Sequence, residues 1–102
     1  MQQVKLVFSS LKPTKNPAAV QVGVVSSGDL EVLFTSEAKD STLTVEVTSS
    51  ADNSEERWKA LFDRLFNQGS LLAGHMQIHD FAATPGVARL RIEQALEKAN
   101  YA

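Results

Sequence analysis

Two adjacent serines, Ser26 and Ser27, stand before Gly28 and Asp29 in a short polar segment between two apolar runs. A serine hydroxyl exposed on a hairpin can be reached by a modifying enzyme, and a glycine beside it removes side-chain bulk. The chemistry that this pattern favours is attachment of a group to a hydroxyl. Serine, glycine and aspartate also favour turns for backbone reasons alone, so the spacing by itself leaves an ordinary turn as the simpler interpretation.

His75, His79 and Asp80 are the other side chains whose types could do chemistry. Two histidines four residues apart would share a metal ion on a helix, but on a strand they lie roughly 13 Å apart, too far for one ion. Because this segment alternates as a strand does, we expect surface or edge histidines and no metal site. Asp80 precedes Phe81 in an apolar context that some catalytic acids share, although a solvated acid or a cap on the approach to a helix is the simpler interpretation. We therefore predict no catalytic residues.

The composition excludes several classes of function. The chain has no cysteine, so it offers no disulfide, thiolate nucleophile or thiolate metal ligand. Its 10 basic and 12 acidic residues give a net charge of -2, which argues against binding to nucleic acid by phosphate neutralisation. The glycines form neither a dinucleotide-binding fingerprint nor a phosphate loop. No apolar run approaches the roughly 18 residues of a membrane span, and the first residues lack a secretory signal, so we expect a cytoplasmic protein without a membrane partner.

The elements that would position the serines are strands, because the first half of the chain alternates with a period of two. Four strands are predicted by the apolar sets Val4, Leu6 and Phe8; Val20, Val22 and Val24; Leu30, Val32 and Phe34; and Leu43, Val45 and Val47. The second and third strands form a hairpin in this prediction. Gly28 can supply the positive φ of its turn, with either Ser27 and Gly28 or Gly28 and Asp29 at the centre. Polar residues alternate with the fourth set, so one side of the sheet is expected to face water.

The second half of the chain changes to the period of a helix. An amphipathic helix that ends before Gly69 is predicted by Trp58, Leu61, Phe62, Leu65 and Phe66. Residues 75–81 predict a fifth strand, and Thr84 and Pro85 suit the N-cap and first position of a second helix. The apolar stripe of that helix is Ala88, Ile92, Ala95, Leu96 and Ala99, with Leu90 pointing away. The prediction is a single α+β domain, residues 1–102, in which two helices pack on one face of a mainly antiparallel sheet of about five strands.

Three segments together resemble a known family. They run from Val22 to Leu33, which contains Ser-Gly-Asp, from Asp80 to Val87, and from Leu90 to Glu97. Over essentially its whole length the chain resembles the acyl carrier (delta) subunit of malonate decarboxylase. The Ser-Gly-Asp match alone is shared with the citrate lyase acyl carrier subunit, whereas the Asp-Phe-x-Ala-Thr-Pro-Gly segment is more specific for the malonate enzyme.

The resemblance implies that Ser27 carries a prosthetic group through a phosphodiester bond, with Gly28 and Asp29 completing the attachment motif. The implied group is 2'-(5''-triphosphoribosyl)-3'-dephospho-coenzyme A, which ends in a thiol. Ser26 offers an adjacent hydroxyl, and spacing alone does not choose between the two serines. The implied partners are an acetyl-carrier:malonate transferase subunit, decarboxylase subunits and the transferase that installs the prosthetic group. The carrier itself is expected to be non-catalytic.

Other functions stay open at the level of the sequence. A citrate lyase type acyl carrier would use the same kind of arm with different partners. A non-enzymatic interaction module would use an exposed side of the last helix, formed by Val87 and Leu90. A stand-alone enzyme would need a catalytic set that these residues do not provide.

Negative charge follows the predicted attachment site. Residues 29–56 contain one lysine and eight acidic residues, a net charge of -7. We hypothesise that Asp29, Glu31 and neighbouring acids steer basic partner surfaces toward the arm. The other interpretation is that these acidic residues simply lie on the solvent-exposed side of a strand and at the start of a helix.

Overall fold

Five strands and two helices follow one another in the predicted order. The structure is a computed structural model that describes residues 2–37, 41–50 and 55–100. The elements are β1 (Gln2–Phe8), β2 (Ala18–Gly23), β3 (Asp29–Ser36), β4 (Leu43–Ser49), α1 (Glu55–Asn67), β5 (Gly74–Phe81) and α2 (Pro85–Asn100).

The strands form one sheet in the order β1-β4-β5-β3-β2. Three of its pairs are antiparallel, including the β2–β3 hairpin, in which Val22 lies opposite Val32. The exception is the pair β4–β5, which is parallel because α1 carries the chain back to the end of the sheet where β4 began. The expected α+β fold with a mainly antiparallel five-stranded sheet is therefore confirmed.

One face of the sheet and both helices share a single core. The central strands alternate buried apolar residues with half-buried or exposed ones, as Leu30, Val32 and Phe34 do on β3. Burying a side chain such as Phe34 completely contributes about 1.5–3 kcal/mol. On β4 the other face carries Thr44, Glu46 and Thr48, so the predicted water-facing side of the sheet is present. From the helices the core receives Trp58, Phe62, Leu65, Ala88, Ile92, Ala95, Leu96 and Ala99.

Helix α1 follows the predicted stripe with one difference at its end. Gly69, at φ +71°, donates its N–H to the Phe66 carbonyl and ends the helix as predicted. Phe66, which we had placed in the buried stripe, is 42% exposed. Its ring stacks on Phe8 with centroids 5.5 Å apart, so it covers the edge of the core near β1. The polar residues Asp52, Asn53 and Ser54, which precede this helix in the sequence, lie outside the described residues.

Helix α2 begins as the sequence predicts. The Thr84 hydroxyl accepts a hydrogen bond from the Val87 N–H at 3.3 Å, and Pro85 is the first helical residue. Every residue of the predicted stripe is buried, and Leu90 is 52% exposed. Val87 was expected to be exposed beside Leu90 but is half-buried, so the two do not form one open surface. In the described ranges, neither helix is long and apolar enough to cross a membrane.

Strand β2 is shorter than the alternation predicted. It ends at Gly23, so Val24 lies outside it and is 56% exposed rather than buried. Val25 is also exposed. The connection between β2 and β3 is therefore a five-residue loop, and Ser26 and Ser27 lie within it.

Candidate functional site

The loop between β2 and β3 closes with a β-turn over residues 26–29. The Asp29 N–H donates to the Ser26 carbonyl at 3.1 Å, and Gly28 has φ +80° at the third position of the turn. This is the position at which a type II turn requires a positive φ. Of the two predicted turn centres, the structure therefore has Ser27 and Gly28. The side chains of Ser26 and Ser27 are both exposed.

The turn is attached to the end of β5. The Gly28 N–H donates to the Phe81 carbonyl at 2.7 Å, and Asp29 lies opposite Phe81 in the antiparallel register of β3 and β5. The end of β5 belongs to the Asp-Phe-x-Ala-Thr-Pro-Gly segment. The Ser-Gly-Asp motif and the Asp-Phe-x-Ala-Thr-Pro-Gly segment are thus neighbours in space.

Asp29 ties the same turn to helix α2. The Arg91 Nε donates to Asp29 Oδ1 at 3.2 Å and an Arg91 terminal nitrogen donates to Oδ2 at 3.1 Å, while Oδ1 also accepts the Leu30 N–H at 2.7 Å. The hydrogen bonds from Arg91 and then that from Leu30 hold the pKa of Asp29 below its usual value of 3.8. Because Arg91 compensates its charge, Asp29 serves to position the turn. Glu31 is also engaged, since its Oε2 accepts from Gln21 at 2.9 Å.

Gly23, at the other end of the loop, approaches the start of β3 closely, and the sequence alone did not predict this contact. Its φ is +83°, and a Cβ atom there would lie 2.0 Å from the Leu30 carbonyl oxygen. A side chain at this position would push β2 away from the start of β3. The backbone on each side of Ser26 and Ser27 is therefore fixed, by Gly23 before the serines and by the contacts of Gly28 and Asp29 after them.

Asp80 supports the segment between β5 and α2. It is 3% exposed, so the solvated-acid interpretation is wrong and the cap interpretation agrees with the structure. Its Oδ1 accepts the Ala83 N–H at 3.0 Å and its Oδ2 accepts the Ser49 hydroxyl at 2.9 Å. These bonds hold the chain through Ala82, whose φ of +63° is unusual for a residue with a side chain. Asp80 thereby holds the segment after β5, which adjoins the residue to which the serine turn is hydrogen-bonded, Phe81.

The two histidines lie on the water-facing side of the sheet with separate carboxylate neighbours. His75 Nε2 is 3.7 Å from Glu46 Oε1, and His79 Nδ1 is 3.5 Å from Glu31 Oε1. Among the described residues, no group of three or more possible ligand side chains is placed to hold a metal ion.

The loop between β2 and β3 exposes the hydroxyl groups of Ser26 and Ser27 at the surface. Within the part of the chain that the structure describes, neither Ser26 nor Ser27 has a hydrogen-bond partner for its side chain. Activation of a hydroxyl needs a base within hydrogen-bond reach, and none is placed there among these residues. The loop can therefore be acted on by another protein, and its anchored backbone keeps the hydroxyls at the surface.

The chain is similar to known proteins over nearly its whole length. Residues 17–99 match the family described as "Malonate decarboxylase delta subunit (MdcD)". The chain is 52% identical over 102 residues to the malonate decarboxylase acyl carrier protein of Klebsiella pneumoniae, covering 100% of both chains. It is 42% identical to that of Stutzerimonas stutzeri (strain A1501), covering 99% of both. A chain in the crystal structure of a Pseudomonas malonate decarboxylase hetero-tetramer in complex with malonate superposes with a TM-score of 0.82 at 41% identity, covering 97% of this chain and 99% of that one.

Proposed function

This chain belongs to the malonate decarboxylase delta subunit family of acyl carrier proteins, and we propose that Ser27 is the residue through which it carries acyl groups. The observation that carries the proposal is the exposed Ser27 side chain at the second position of a turn whose backbone is held to β5 and to α2. Ser26 is equally exposed, but it precedes the Ser-Gly-Asp motif by one residue.

The attachment step uses Ser27 as a nucleophile that its partner activates. The Ser27 hydroxyl oxygen forms a bond to the first phosphorus of the triphosphoribosyl group, diphosphate leaves, and the hydroxyl proton passes to a base on the prosthetic-group transferase. The product is a phosphodiester that links Ser27 to phosphoribosyl-dephospho-coenzyme A. Gly28 leaves open space beside the reacting hydroxyl, since apart from its chain neighbours no atom lies within 4 Å of where its Cβ would be. Asp29 holds the turn through Arg91.

The arm supplies the thiol that this chain lacks, because the sequence contains no cysteine. A thioester on that thiol holds the acetyl or malonyl group. Loss of carbon dioxide from a malonyl thioester leaves enolate-like charge on the carbonyl oxygen, and placed hydrogen-bond donors of a decarboxylase stabilise it. The carrier binds and presents the thioester, and the chemistry takes place on its partners.

The proposed partners act in a cycle. A transferase subunit exchanges acetate for malonate on the carrier, decarboxylase subunits release carbon dioxide, and the acetyl carrier is regenerated. A flexible tether makes each encounter intramolecular, with effective concentrations in the millimolar range for short linkers, so the protein contacts themselves can be weak. In this proposal the whole chain, residues 1–102, acts as one non-catalytic carrier domain in the cytoplasm.

The mass of the intact protein tests the attachment site. The protein is produced together with its prosthetic-group transferase and the enzymes that make the precursor, and its mass is compared with that of Ser27→Ala and of the matched control Ser26→Ala. We expect the wild type and Ser26→Ala to carry the added mass of the arm and Ser27→Ala to carry none. An increment that stays in Ser27→Ala and disappears in Ser26→Ala would move the site by one residue, and an unmodified wild type would refute the proposal.

A further inference from the structure

A groove of about 410 Å³ lies between α1 and the first turn of α2. Helix α1 contributes Arg57, Trp58 and Arg64 to its lining, and α2 contributes Gly86 and Arg89. Asp80 also lines the groove, at the end of β5. None of the helix residues has a place in the attachment of the arm to Ser27.

Within the part of the chain that the structure describes, two guanidinium groups beside the groove have no charged partner. Arg57 and Arg64 have no ion pair or hydrogen bond within the described residues, whereas Arg89 is paired with Glu93 at 2.5 Å and donates to Gln68. The acid in the lining, Asp80, already accepts hydrogen bonds at both of its oxygens. Free guanidinium groups beside a groove suit a phosphate-bearing ligand, to which arginine donates paired hydrogen bonds.

Two uncharged donors of the lining lack acceptors. The start of helix α2 has partial positive charge, and its Gly86 N–H has no acceptor in the described part of the chain. Apart from its chain neighbours and the adjacent backbone of its own helix, no atom lies within 4 Å of a Cβ built on Gly86, so the backbone there is open to a ligand. Trp58 is 4% exposed, and its indole N–H is buried without an acceptor. Buried donors are normally paired, and this unpaired one belongs to a residue that lines the groove.

The groove and the serine turn lie on opposite flanks of the start of α2. Arg91 reaches the turn through Asp29, while Arg89, two residues before it along the helix, faces the groove. Gly28 bonds to Phe81, the residue that follows Asp80 of the groove. A group attached to the serine turn would therefore have to span about one helix diameter, roughly 10 Å, to reach the groove.

We propose that this groove binds the diphosphate of the arm that is attached to Ser27, with Arg57 and Arg64 as its main ligands. This inference rests on the proposed function, because the arm must be present on Ser27. In the arm, the phosphodiester, the phosphoribosyl unit and the adenosine precede the diphosphate, and together they are longer than a helix diameter. Binding in the groove holds the nucleotide part of the arm on the carrier and leaves the thiol end to reach partner enzymes.

Cleavage of the arm by a nucleotide pyrophosphatase tests the proposal without an activity assay. Intact mass first establishes that wild type, Arg57→Gln/Arg64→Gln and the control Lys59→Gln, an exposed residue of the same helix outside the groove, all carry the arm. The loss of mass on cleavage of the diphosphate is then followed with time. We expect cleavage to be roughly tenfold faster in the double variant than in the wild type, because two charge-assisted contacts are lost, and unchanged in Lys59→Gln.

The fluorescence of Trp58, the single tryptophan of the chain, gives a second measurement. Its emission is expected to differ between the modified and unmodified wild type, and this difference is expected to disappear in the double variant. Equal cleavage rates in all three modified proteins, with the same Trp58 emission with and without the arm, would overturn the groove proposal and leave the attachment at Ser27 standing. Absence of the arm from wild-type Ser27 would instead refute the proposed function and the groove proposal with it.

Discussion

The backbone N–H of Gly28 donates a hydrogen bond to the carbonyl oxygen of Phe81 at 2.7 Å. This bond joins the turn that presents Ser27 to the segment between β5 and α2. Asp29 adds a second connection through Arg91, 62 residues along the chain. The serine hydroxyl is thus exposed while its backbone is held from two sides, which is what a modifying enzyme needs in a substrate loop.

We expect Asp29→Asn to loosen the serine turn without unfolding the protein. The amide keeps the shape of the side chain but removes its charge and one of its two acceptor oxygens, so one of the two hydrogen bonds from Arg91 is lost and the other becomes weaker. Amide hydrogen exchange in residues 24–28 is expected to become faster, and attachment of the arm is expected to be slower than in the wild type. Glu97→Gln, an exposed change on the same helix as Arg91, is the matched control. Unchanged exchange in this loop would contradict the positioning role of Asp29.

The pair Asp29 and Arg91 predicts how the free energy of unfolding depends on pH. The pKa of Asp29 is lowered in the folded protein, so its stabilising effect is complete above the unfolded pKa near 3.8 and is lost as the pH falls through the lower folded value. The free energies of unfolding of wild type and Asp29→Asn should therefore differ by a constant amount above about pH 5 and converge below pH 3.8. Urea unfolding of both proteins at several pH values checks this, and a difference that grows as the pH falls would contradict it.

Gly23→Ala is expected to destabilise the protein by at least about 2 kcal/mol. A methyl group there would meet the Leu30 carbonyl oxygen at 2.0 Å, and the φ of +83° is strained for alanine. Gly86→Ala is the matched control, because its Cβ meets open space on a helix, and we expect it to stabilise by about 0.5 kcal/mol. Urea unfolding measures both variants. Equal free energies of unfolding would show that the loop does not depend on the close approach at Gly23.

Leu90→Asp distinguishes the carrier from the alternative of an interaction module. Leu90 is 52% exposed, so its replacement should change the free energy of unfolding by no more than about 0.5–1 kcal/mol. The carrier account predicts that partner-dependent malonate decarboxylation survives Leu90→Asp and is lost in Ser27→Ala. An interaction module predicts the reverse. A coupled assay with the transferase and decarboxylase subunits separates the two.

Much of the fold follows from local patterns in the sequence. The period-two runs place β1, β3 and β4, and the stripe from Ala88 to Ala99 places α2, because burial on one face dictates both periods. Val24 departs from its pattern because the positive φ of Gly23 turns the backbone and ends the strand first, and the alternation of apolar residues does not report backbone dihedral angles. Phe66 departs because its partner is Phe8, on a strand far away in the sequence.

The candidate site was only partly predictable for the same reason. The Ser-Gly-Asp turn is local, so Gly28 and its positive φ could be expected from residue types. The contacts of Asp29 with Arg91 and of Gly28 with Phe81 depend on how distant elements pack. The groove beside Trp58 likewise exists only where α1 and α2 meet. Asp29 is paired with Arg91 and so contributes less to the hypothesised steering of basic partner surfaces, whereas the hydrogen bond that Glu31 accepts comes from the uncharged Gln21. Steering by Glu31 and the neighbouring acids stays a prediction.

Transfer of labelled malonate tests the central claim most directly. The modified carrier is first acetylated on its thiol, because the transferase exchanges acetate for malonate. It is then mixed with its transferase and isotopically labelled malonate, without the decarboxylase subunits, and the label bound to protein is located by peptide mass spectrometry. The account predicts label on the peptide that contains Ser27, released by hydroxylamine as a thioester is, retained in Ser26→Ala and absent from Ser27→Ala. Hydroxylamine-labile label that persists on the carrier in Ser27→Ala would contradict it.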